Sequence, residues 1–176
     1  PICRVLAVPL RIATLVKQIP AFEAFRLAAD GRLDRTGAAL EMNAYCRRAV
    51  AGSVELVGTH GGSVTVITLG PRTAEDVLRE AIAWGTERGV ATTGVLVSDP
   101  AFAGSDTLAT ARALAAVIRR LGPFDLVVAG RNSVDADTGQ VPPELAELLD
   151  LPLLAGARHW SVTDHTLDVR CEHDDG

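Results

Sequence analysis

The chain has 176 residues, of which 48% are hydrophobic, and carries a formal net charge of −5 at pH 7. That length is typical of one globular domain with a sizeable core. No run of Lys and Arg is longer than two residues, which argues against a nucleic acid or an anionic membrane as the partner. Arg, Asp or Gly interrupts each apolar stretch before it is long enough to span a bilayer, so we expect no membrane insertion.

Cysteines and histidines are scattered along the chain, at Cys3, Cys46, Cys171, His60, His159, His165 and His173. They form no C-x-x-C pair and no zinc-ligand spacing, and no histidine accompanies a Ser or Cys nucleophile in a recognisable elbow. We therefore predict no metal site and no catalytic residues. Dispersed thiols favour a reducing compartment, so we expect the protein to be cytoplasmic.

The first predicted element is a buried strand over residues 11–16, which are mostly apolar. Lys17, Gln18 and Pro20 end this run and predict that a polar loop follows. The carboxyl end of the strand is a candidate edge for a ligand. An ordinary βα loop with solvated Lys and Gln side chains is the alternative.

A small hairpin and a helix follow the first strand. Residues 25–37 predict two short strands around an Asp-Gly turn. Residues 41–57 keep a helical spacing of apolar side chains, with Asn43 as the candidate N-cap. Gly52 is expected to weaken this helix.

Two strand-helix units come next, at residues 63–69 with 73–84 and at residues 95–98 with 108–121. β-Branched residues and a Gly-Pro stop mark the first strand. Thr73 and Asp76 predict a capping box for the first helix. Asp106 and Thr107 predict an N-cap for the second helix, and contact with a ligand is the less favoured alternative.

Residues 125–149 predict a strand, a polar loop and a helix, and they carry the strongest functional signal. Leu126–Ala129 is a short continuous apolar run, typical of a strand covered on both faces, and Gly130 ends it. The loop that follows contains Arg, Asn, Ser, Asp, Thr and Gly, which can all bond a polar ligand or neighbouring backbone groups. Asp137 or Thr138 is expected to cap the helix.

This last long helix has a distinctive first turn. Pro142 and Pro143 fit there because the N–H groups that they lack would have no helical partner, and Leu145, Leu148 and Leu149 form an apolar face. In an open α/β sheet, ligands bind beyond the carboxyl ends of the strands, and the start of a helix favours a phosphate. From chemistry alone, a capped connection with solvated acids explains the same residues about equally well.

Short strands are predicted at residues 151–154, 159–163 and 166–172, with a polar turn at Asp164 and His165 joining the last two. The alternation of strands and helices before them implies a doubly wound, mainly parallel α/β sheet with a small antiparallel edge. The sequence has no G-x-G-x-x-G, no Walker P-loop and no G-x-S-x-G. Ordinary dinucleotide, kinase-type and hydrolase sites therefore lack their motifs.

The run Asp-Thr-Gly-Gln-Val-Pro-Pro at residues 137–143 resembles the signature loop of the β subunit of electron-transfer flavoproteins, the FixA-like family. Val-Lys-Gln at residues 16–18 and Leu-Gly-Pro at residues 69–71 are similar to further family motifs. The resemblance runs from about residue 11 to the end of the chain. In the family, the signature loop holds the phosphates and ribose of a nucleotide, which is AMP in most members and a second FAD in the electron-bifurcating ones.

The resemblance implies a single domain with a Rossmann-like adenine-nucleotide-binding fold over residues 11–176. Residues 1–10 are expected to lie upstream of this domain, and the domain is expected to lack the family's C-terminal arm. It also implies a set of nucleotide-binding residues: Val16, Lys17, Gln18, Asn43, Thr68, Leu69, Gly70, Gly130, Asn132, Ser133, Asp137, Thr138, Gly139, Gln140 and Val141. Of the family's Asn-Pro-Phe-acid motif, only Asn43 is kept here.

The function implied by the resemblance is that of an electron-transfer flavoprotein β-type subunit. Such a subunit pairs with an α-type subunit and passes electrons from a flavin dehydrogenase to an acceptor, while the flavin is the redox group. It is an electron carrier and not an enzyme. The alternative is a stand-alone adenine-nucleotide-binding module without a redox role. A third interpretation, a nucleotide hydrolase, lacks its Ser-Gly-Gly loop after the first strand.

The resemblance leaves the identity of the nucleotide open between AMP and FAD. The signature loop is closer to the FixA-like and bifurcating branch, which favours a second FAD. The small residues Thr68, Gly70, Ser133 and Gly139 would leave space for an isoalloxazine ring. Pro142, which stands where the family usually has Gly, is a contrary sign because it adds bulk and removes an N–H group.

Overall fold

The structure is a computed structural model, and it describes residues 9–21, 23, 26–29, 31, 33–34, 37–163 and 166–172. The predicted turn at Asp164 and His165 and part of the predicted Asp-Gly turn lie outside these residues. None of the described helices is long and apolar enough to cross a membrane.

In chain order, the elements are β1 (Leu10–Leu15), β2 (Gln18–Pro20), β3 (Arg26–Leu27), β4 (Leu33–Asp34), β5 (Leu40–Met42), α1 (Ala44–His60), β6 (Gly62–Leu69), α2 (Glu75–Glu87), β7 (Ala91–Val97), α3 (Thr107–Leu121), β8 (Leu126–Ala129), α4 (Val141–Leu149), β9 (Ala157–Thr163) and β10 (Thr166–Cys171). Short 3₁₀ turns at Arg72–Ala74 and Pro100–Phe102 precede α2 and α3.

Four parallel strands form the central sheet, in the order β7-β6-β1-β8. The chain moves outward from β1 to β6 and β7, and then returns to the other side of β1 to form β8. The strand order therefore reverses between β1 and β8, and this reversal is the switch point where open α/β sheets bind ligands.

Helices cover both faces of this sheet, which confirms the predicted doubly wound α/β architecture. On the α1/α2 face, the buried residues include Val50, Val54, Val64, Val66 and Val77. On the α3/α4 face, they include Ala13, Leu15, Ile67, Leu114 and Leu145. Because β1 lies between two covered faces, its sequence is a nearly continuous apolar run, in which only Arg11 is exposed.

The chain beyond β1 differs from the prediction. Residues 18–20 are not a polar loop but form β2, which pairs antiparallel with β5, an element that the sequence did not predict. The pairing buries Ile19 and Met42, which are each 1% exposed, so an apolar residue on each strand stabilises it. Within the described residues, β3 and β4 confirm the small predicted hairpin.

Gly52 lies inside α1, and its expected weakening of this helix stays a prediction. The helix continues past it to His60. A Cβ atom at Gly52 would lie 2.1 Å from Cζ2 of Trp160, so this position must be glycine for the β9 indole to pack against the helix. Trp160 thereby fastens the antiparallel β9–β10 hairpin to the α1/α2 face.

The predicted strand at residues 151–154 is absent, because no strand is assigned between α4 and β9. Asp150 ends α4 with a left-handed backbone, and the following segment leaves Leu153 and Leu154 46% exposed. The predicted antiparallel edge is confirmed as the separate β9–β10 hairpin, which has one register shift between Arg170 and Cys171.

Helix caps were predicted with mixed success. The Asp106 carboxylate accepts a hydrogen bond from the N–H of Ala109, 2.8 Å away, so the predicted cap of α3 is confirmed. The capping box of Thr73 and Asp76 is wrong, because a 3₁₀ turn precedes α2 and no side chain caps that helix. The predicted cap of α4 is also wrong, since Gln140 occupies the N-cap position and makes no side-chain cap bond.

Candidate functional site

The predicted site residues gather at the carboxyl edge of the sheet. Residues 16–18 follow β1, residues 68–70 end β6, and residues 130–140, which we call the β8–α4 loop, follow β8. Because β6, β1 and β8 are adjacent and parallel, these three segments lie at the same edge. The β8–α4 loop and the end of β1 form the two sides of the switch point.

Lys17 connects the two sides directly. Its Nζ atom donates a hydrogen bond to Oγ of Ser133, 3.0 Å away, and lies 2.7 Å from Oδ1 of Asp135. The Lys17 side chain is 40% exposed, whereas that of Asp135 has no exposure. An ion pair therefore holds the middle of the β8–α4 loop against the end of β1. The carboxylate of this pair is fully buried, and the lysine is partly exposed.

Asp135 was missed as a site residue by the sequence analysis. The one available signal was that Lys17 would need an acidic partner at a neighbouring strand end. Asp135 and Asp137 are two residues apart, and the sequence does not tell which of them turns inward. In the structure, Asp137 is exposed and accepts a hydrogen bond from Nδ2 of Asn132.

Asn43 has no solvent exposure and holds the same loop from the start of α1. Its Nδ2 atom donates to the carbonyl oxygen of Asn132, 2.8 Å away, and its Oδ1 accepts from the N–H of Val134 at 3.3 Å. Its own N–H donates to the carbonyl oxygen of Lys17 at 3.0 Å. Asn43 thus lies at the N-cap position of α1 without a side-chain cap bond, because its amide bonds the loop instead. Its contact with a nucleotide stays a prediction.

Gly130 is required by close packing. A Cβ atom at this position would lie 2.9 Å from the backbone carbonyl carbon of Tyr45 and 3.0 Å from the backbone nitrogen of Cys46. These are backbone atoms in the first turn of α1, and they cannot move without moving the helix. The absence of a side chain at Gly130 therefore lets the β8–α4 loop start against α1.

The end of the loop has an unusual backbone. Asp137 and Gly139 have positive φ angles of 49° and 63°, and Gln140 is right-handed. Left-handed and right-handed residues in succession can turn their N–H groups toward one concave surface that attracts anions. Thr138 contributes only weak local bonds, with its Oγ1 accepting from the N–H of Gln140 at 3.5 Å. Asp137, Thr138 and Gln140 are exposed, so their side chains face solvent.

The residues at the ends of β1 and β6 differ in their surroundings. Val16 is buried in the α1/α2 core, and Gln18 donates from Nε2 to the carbonyl oxygen of Thr73 at 2.8 Å. Leu69 packs on the α3/α4 core, and the N–H of Gly70 donates to the carbonyl oxygen of Val97. Thr68 is fully buried, and its Oγ1 has no hydrogen-bond partner among the described residues.

The starts of α3 and α4 lie side by side at this edge. The hydroxyl of Thr107, the first residue of α3, donates to Oε1 of Glu144 in the first turn of α4, 2.9 Å away. The two helix starts are thereby linked, and a carboxylate occupies part of the positive end of α4. This pair was not predicted from the sequence, because the two residues belong to separate units of the fold.

The side chains at this edge offer polar groups and few reactive ones. Burial raises the pKa of the Cys46 thiol, which is opposed by a hydrogen bond from Asn43, so the thiol stays protonated at neutral pH. Among the described residues, no three His, Cys, Asp or Glu side chains are placed to hold a metal ion.

Comparison with known proteins agrees with this geometry. Residues 30–176 match the family described as "Electron transfer flavoprotein domain". The chain belongs to the electron transfer flavoprotein family. The resemblance predicted from the residue 16–18, 69–71 and 137–143 motifs is thereby confirmed.

Individual relatives in this family are electron-transfer subunits by name. "Electron transfer flavoprotein subunit beta" of Clostridium acetobutylicum is 37% identical over 168 residues, which are 95% of this chain and 62% of the relative. "Protein FixA" of Azorhizobium caulinodans is 39% identical, over 95% of this chain and 60% of the relative. "Acryloyl-CoA reductase electron transfer subunit gamma" of Anaerotignum propionicum is 39% identical, over 81% of this chain and 53% of the relative. These names agree with the prediction of an electron carrier rather than an enzyme.

The chain spans between 53% and 62% of the length of these three relatives. Among solved structures, a protein from the universal stress protein family from Burkholderia pseudomallei matches with a TM-score of 0.51 at 17% sequence identity. The match covers 82% of this chain and 93% of that chain. At that identity it shows the fold alone, and it agrees with a Rossmann-like α/β sheet.

Proposed function

We propose that this chain is the β-type subunit of an electron-transfer flavoprotein and that it binds an adenine nucleotide beyond the ends of β1 and β8. The observation that carries the proposal is the β8–α4 loop. It begins at the switch point of the sheet and ends at the start of α4, where backbone N–H groups and the helix dipole favour a phosphate. Membership of the family supports the same assignment.

The phosphates would rest on a small set of backbone groups. Pro142 and Pro143 have no N–H group, so the amides of residues 139–141 are the donors left at the start of α4. The Thr138 hydroxyl and the Gln140 amide are exposed beside them and bonded only weakly to each other's backbone. They are free to turn toward a ligand at little cost in folding energy.

Two features fit a nucleotide on this edge. A Cβ atom at Gly139 would have only the carbonyl oxygen of Arg131 within 4 Å, at 3.8 Å, so the loop leaves open space there. At the end of β6, the buried Thr68 hydroxyl has no partner among the described residues. A buried hydroxyl without a partner costs free energy, and a polar edge of adenine beside residues 68–70 would supply one.

An FAD bound in the complex with an α-type subunit would supply the redox chemistry, because a flavin accepts and delivers electrons. The chain's own part is to bind, orient and shield the nucleotide. We propose that it does so together with an α-type subunit and that a flavin dehydrogenase is the electron donor, as the names of the relatives suggest. The free thiols Cys46 and Cys171 favour a reducing compartment, so we propose a cytoplasmic location.

The nucleotide is identified by counting what the complex releases. The full-length chain would be purified with its α-type partner and denatured, and flavin and AMP would be quantified per heterodimer. Two flavins without AMP would identify a second FAD in this chain, and one flavin with one AMP would identify AMP. Bound nucleotide without any flavin would favour the stand-alone module. If nothing is released and calorimetry detects no binding of AMP, ADP or FAD, the proposal of a nucleotide site is wrong.

A further inference from the structure

We propose that Asp135 is a positioning residue of the nucleotide site, which holds the β8–α4 loop in its binding shape through Lys17 before a ligand arrives. This inference rests on the proposed function, because it concerns how the same site is prepared. It assigns a role to a residue that was not among the predicted nucleotide-binding residues.

The two partners of the Lys17–Asp135 ion pair differ in their exposure to solvent. The Asp135 side chain has no solvent exposure, and Nζ of Lys17 lies 2.7 Å from its Oδ1. A carboxylate that is withdrawn from water requires a cation and hydrogen bonds nearby, and removing its partner is strongly unfavourable. The loop cannot move away from β1 without separating the pair, so the pair restricts the loop.

The Lys17 ammonium donates to two side chains of the β8–α4 loop. It has three N–H donors, and Ser133 and Asp135 both lie within bonding distance of it. Its charge is also balanced by the adjacent carboxylate. Two of the three donors of Lys17 are therefore committed to the loop, which weakens Lys17 as a direct ligand for a phosphate.

Lys17 and Asn43 together hold consecutive residues of the β8–α4 loop. Asn43 bonds the carbonyl oxygen of Asn132 and the N–H of Val134, and Lys17 bonds the side chains of Ser133 and Asp135. Each of the four successive loop residues is thus fixed from β1 or from α1. The N–H groups of Ala136 and Asp137 then donate back to the carbonyl oxygen of Ser133, at 3.2 and 2.7 Å. The held residues 132–135 therefore position residues 136–140, which form the more exposed end of the loop.

A charge effect alone predicts the opposite sign of a mutation. If Asp135 only repelled the phosphates, Asp135→Asn would tighten nucleotide binding, because it removes a negative charge and releases the Lys17 ammonium. If Asp135 positions the loop, the same substitution weakens binding, since the loop must then be ordered when the ligand binds. The direction of the change therefore separates the two roles.

The test uses the full-length protein with its α-type partner, and compares Asp135→Asn, Lys17→Met and their double variant. AMP and FAD affinities are measured by calorimetry, and amide exchange of residues 136 and 137 is measured without nucleotide. We expect Asp135→Asn to weaken binding by about tenfold or more and to speed exchange at both amides. The double variant should lose little more than either single variant. Asp168→Asn, the same change on the exposed side of β10, is the matched control and should change neither quantity.

Several results would overturn the inference. Equal or tighter binding by Asp135→Asn would do so. If Lys17→Met weakens binding while Asp135→Asn leaves it unchanged, Lys17 holds the phosphate itself. If Asp135→Asn does not fold, Ser133→Ala tests the inference instead. Unchanged amide exchange at residues 136 and 137 in that variant would mean that Lys17 does not hold the loop. If the wild-type protein binds no adenine nucleotide, the proposed function fails. The exchange data would still show whether Lys17 and Asp135 hold the loop.

Discussion

Two connections at the same edge of the sheet are built in opposite ways. Between β6 and α2, residues 70–74 turn at once, and the N–H of Ala74 donates to the carbonyl oxygen of Pro71 within the turn. Between β8 and α4, the much longer loop is held by side chains that lie 89 to 118 positions away in the sequence. The short connection depends mainly on its own residues, and the long one depends on the assembled fold.

This difference fits the binding role that we propose for the longer loop. A loop that must present N–H groups to a ligand cannot satisfy all of them within itself, so a rigid scaffold has to hold it in place. Lys17 and Asn43 do this for the β8–α4 loop from β1 and α1. The β6–α2 connection is bonded from outside its own unit by Gln18, which donates to the carbonyl oxygen of Thr73.

The largest effect is expected where the long loop starts. Gly130→Ala would place a Cβ atom 2.9 Å from the backbone of Tyr45, and we expect a loss of about 1–3 kcal/mol of unfolding free energy. A urea titration measures it. Gly58→Ala is the control, because its Cβ atom would meet only Val90 at 3.7 Å, and alanine in this helix should stabilise by about 1 kcal/mol. An unchanged midpoint for Gly130→Ala would show that the loop is not pressed against α1.

The next effect concerns the exposed end of the long loop. Thr138→Ala combined with Gln140→Ala removes side chains that bond each other's backbone only at 3.3 and 3.5 Å, so the melting temperature should hardly change. If these groups bond a phosphate, affinity should fall by about tenfold or more, since each charge-assisted bond is worth about 1.5–3 kcal/mol. Calorimetry with AMP and FAD measures the loss. A lower melting temperature with unchanged affinity would indicate a loop with a purely structural role.

The same contrast explains what the sequence could and could not predict. The apolar runs of β1 and β8 and the glycine that ends β8 are local signals, and they located the parallel sheet and its carboxyl edge correctly. The bonds of Lys17 to Asp135 and of Asn43 to Asn132 join residues that only the folded chain brings together. Local patterns cannot reveal such partners. The motifs therefore indicated where to expect a site, and the residues that hold the β8–α4 loop there became visible only in three dimensions.

Two features that local preference does not explain have the same origin. Helix propensity disfavours glycine inside α1, yet the packing of Trp160 requires it at Gly52. The leucines at residues 153 and 154 favour a strand by composition, yet no neighbouring strand pairs with them among the described residues. In both cases tertiary contacts, or their absence, outweighed the local preference.

A smaller effect is expected at the starts of α2 and α3. Asp106→Ala removes the carboxylate that accepts from the N–H of Ala109, and it should cost about 1 kcal/mol of stability. Thr73→Ala should cost less than about 0.5 kcal/mol, because no side chain caps α2 and the carbonyl oxygen that Gln18 contacts remains. Denaturant midpoints of the two variants compare them directly. Equal losses would mean that Thr73 caps its helix in solution after all.

The smallest effect is expected at Cys46, whose backbone nitrogen lies where the long loop meets α1. Burial raises the pKa of this thiol above its ordinary value of 9.0. The folded protein therefore keeps the proton while the unfolded chain loses it, so stability is full below about pH 9 and declines as the pH rises further. At pH 9.0 the loss due to this group is at most about 0.4 kcal/mol, since half of the unfolded thiols are then ionised. Cys46→Ala should lack this part of the alkaline decline, which urea midpoints at pH 7 and pH 9 would detect. A decline of equal size in both proteins would mean that the thiol is open to solvent in the folded protein.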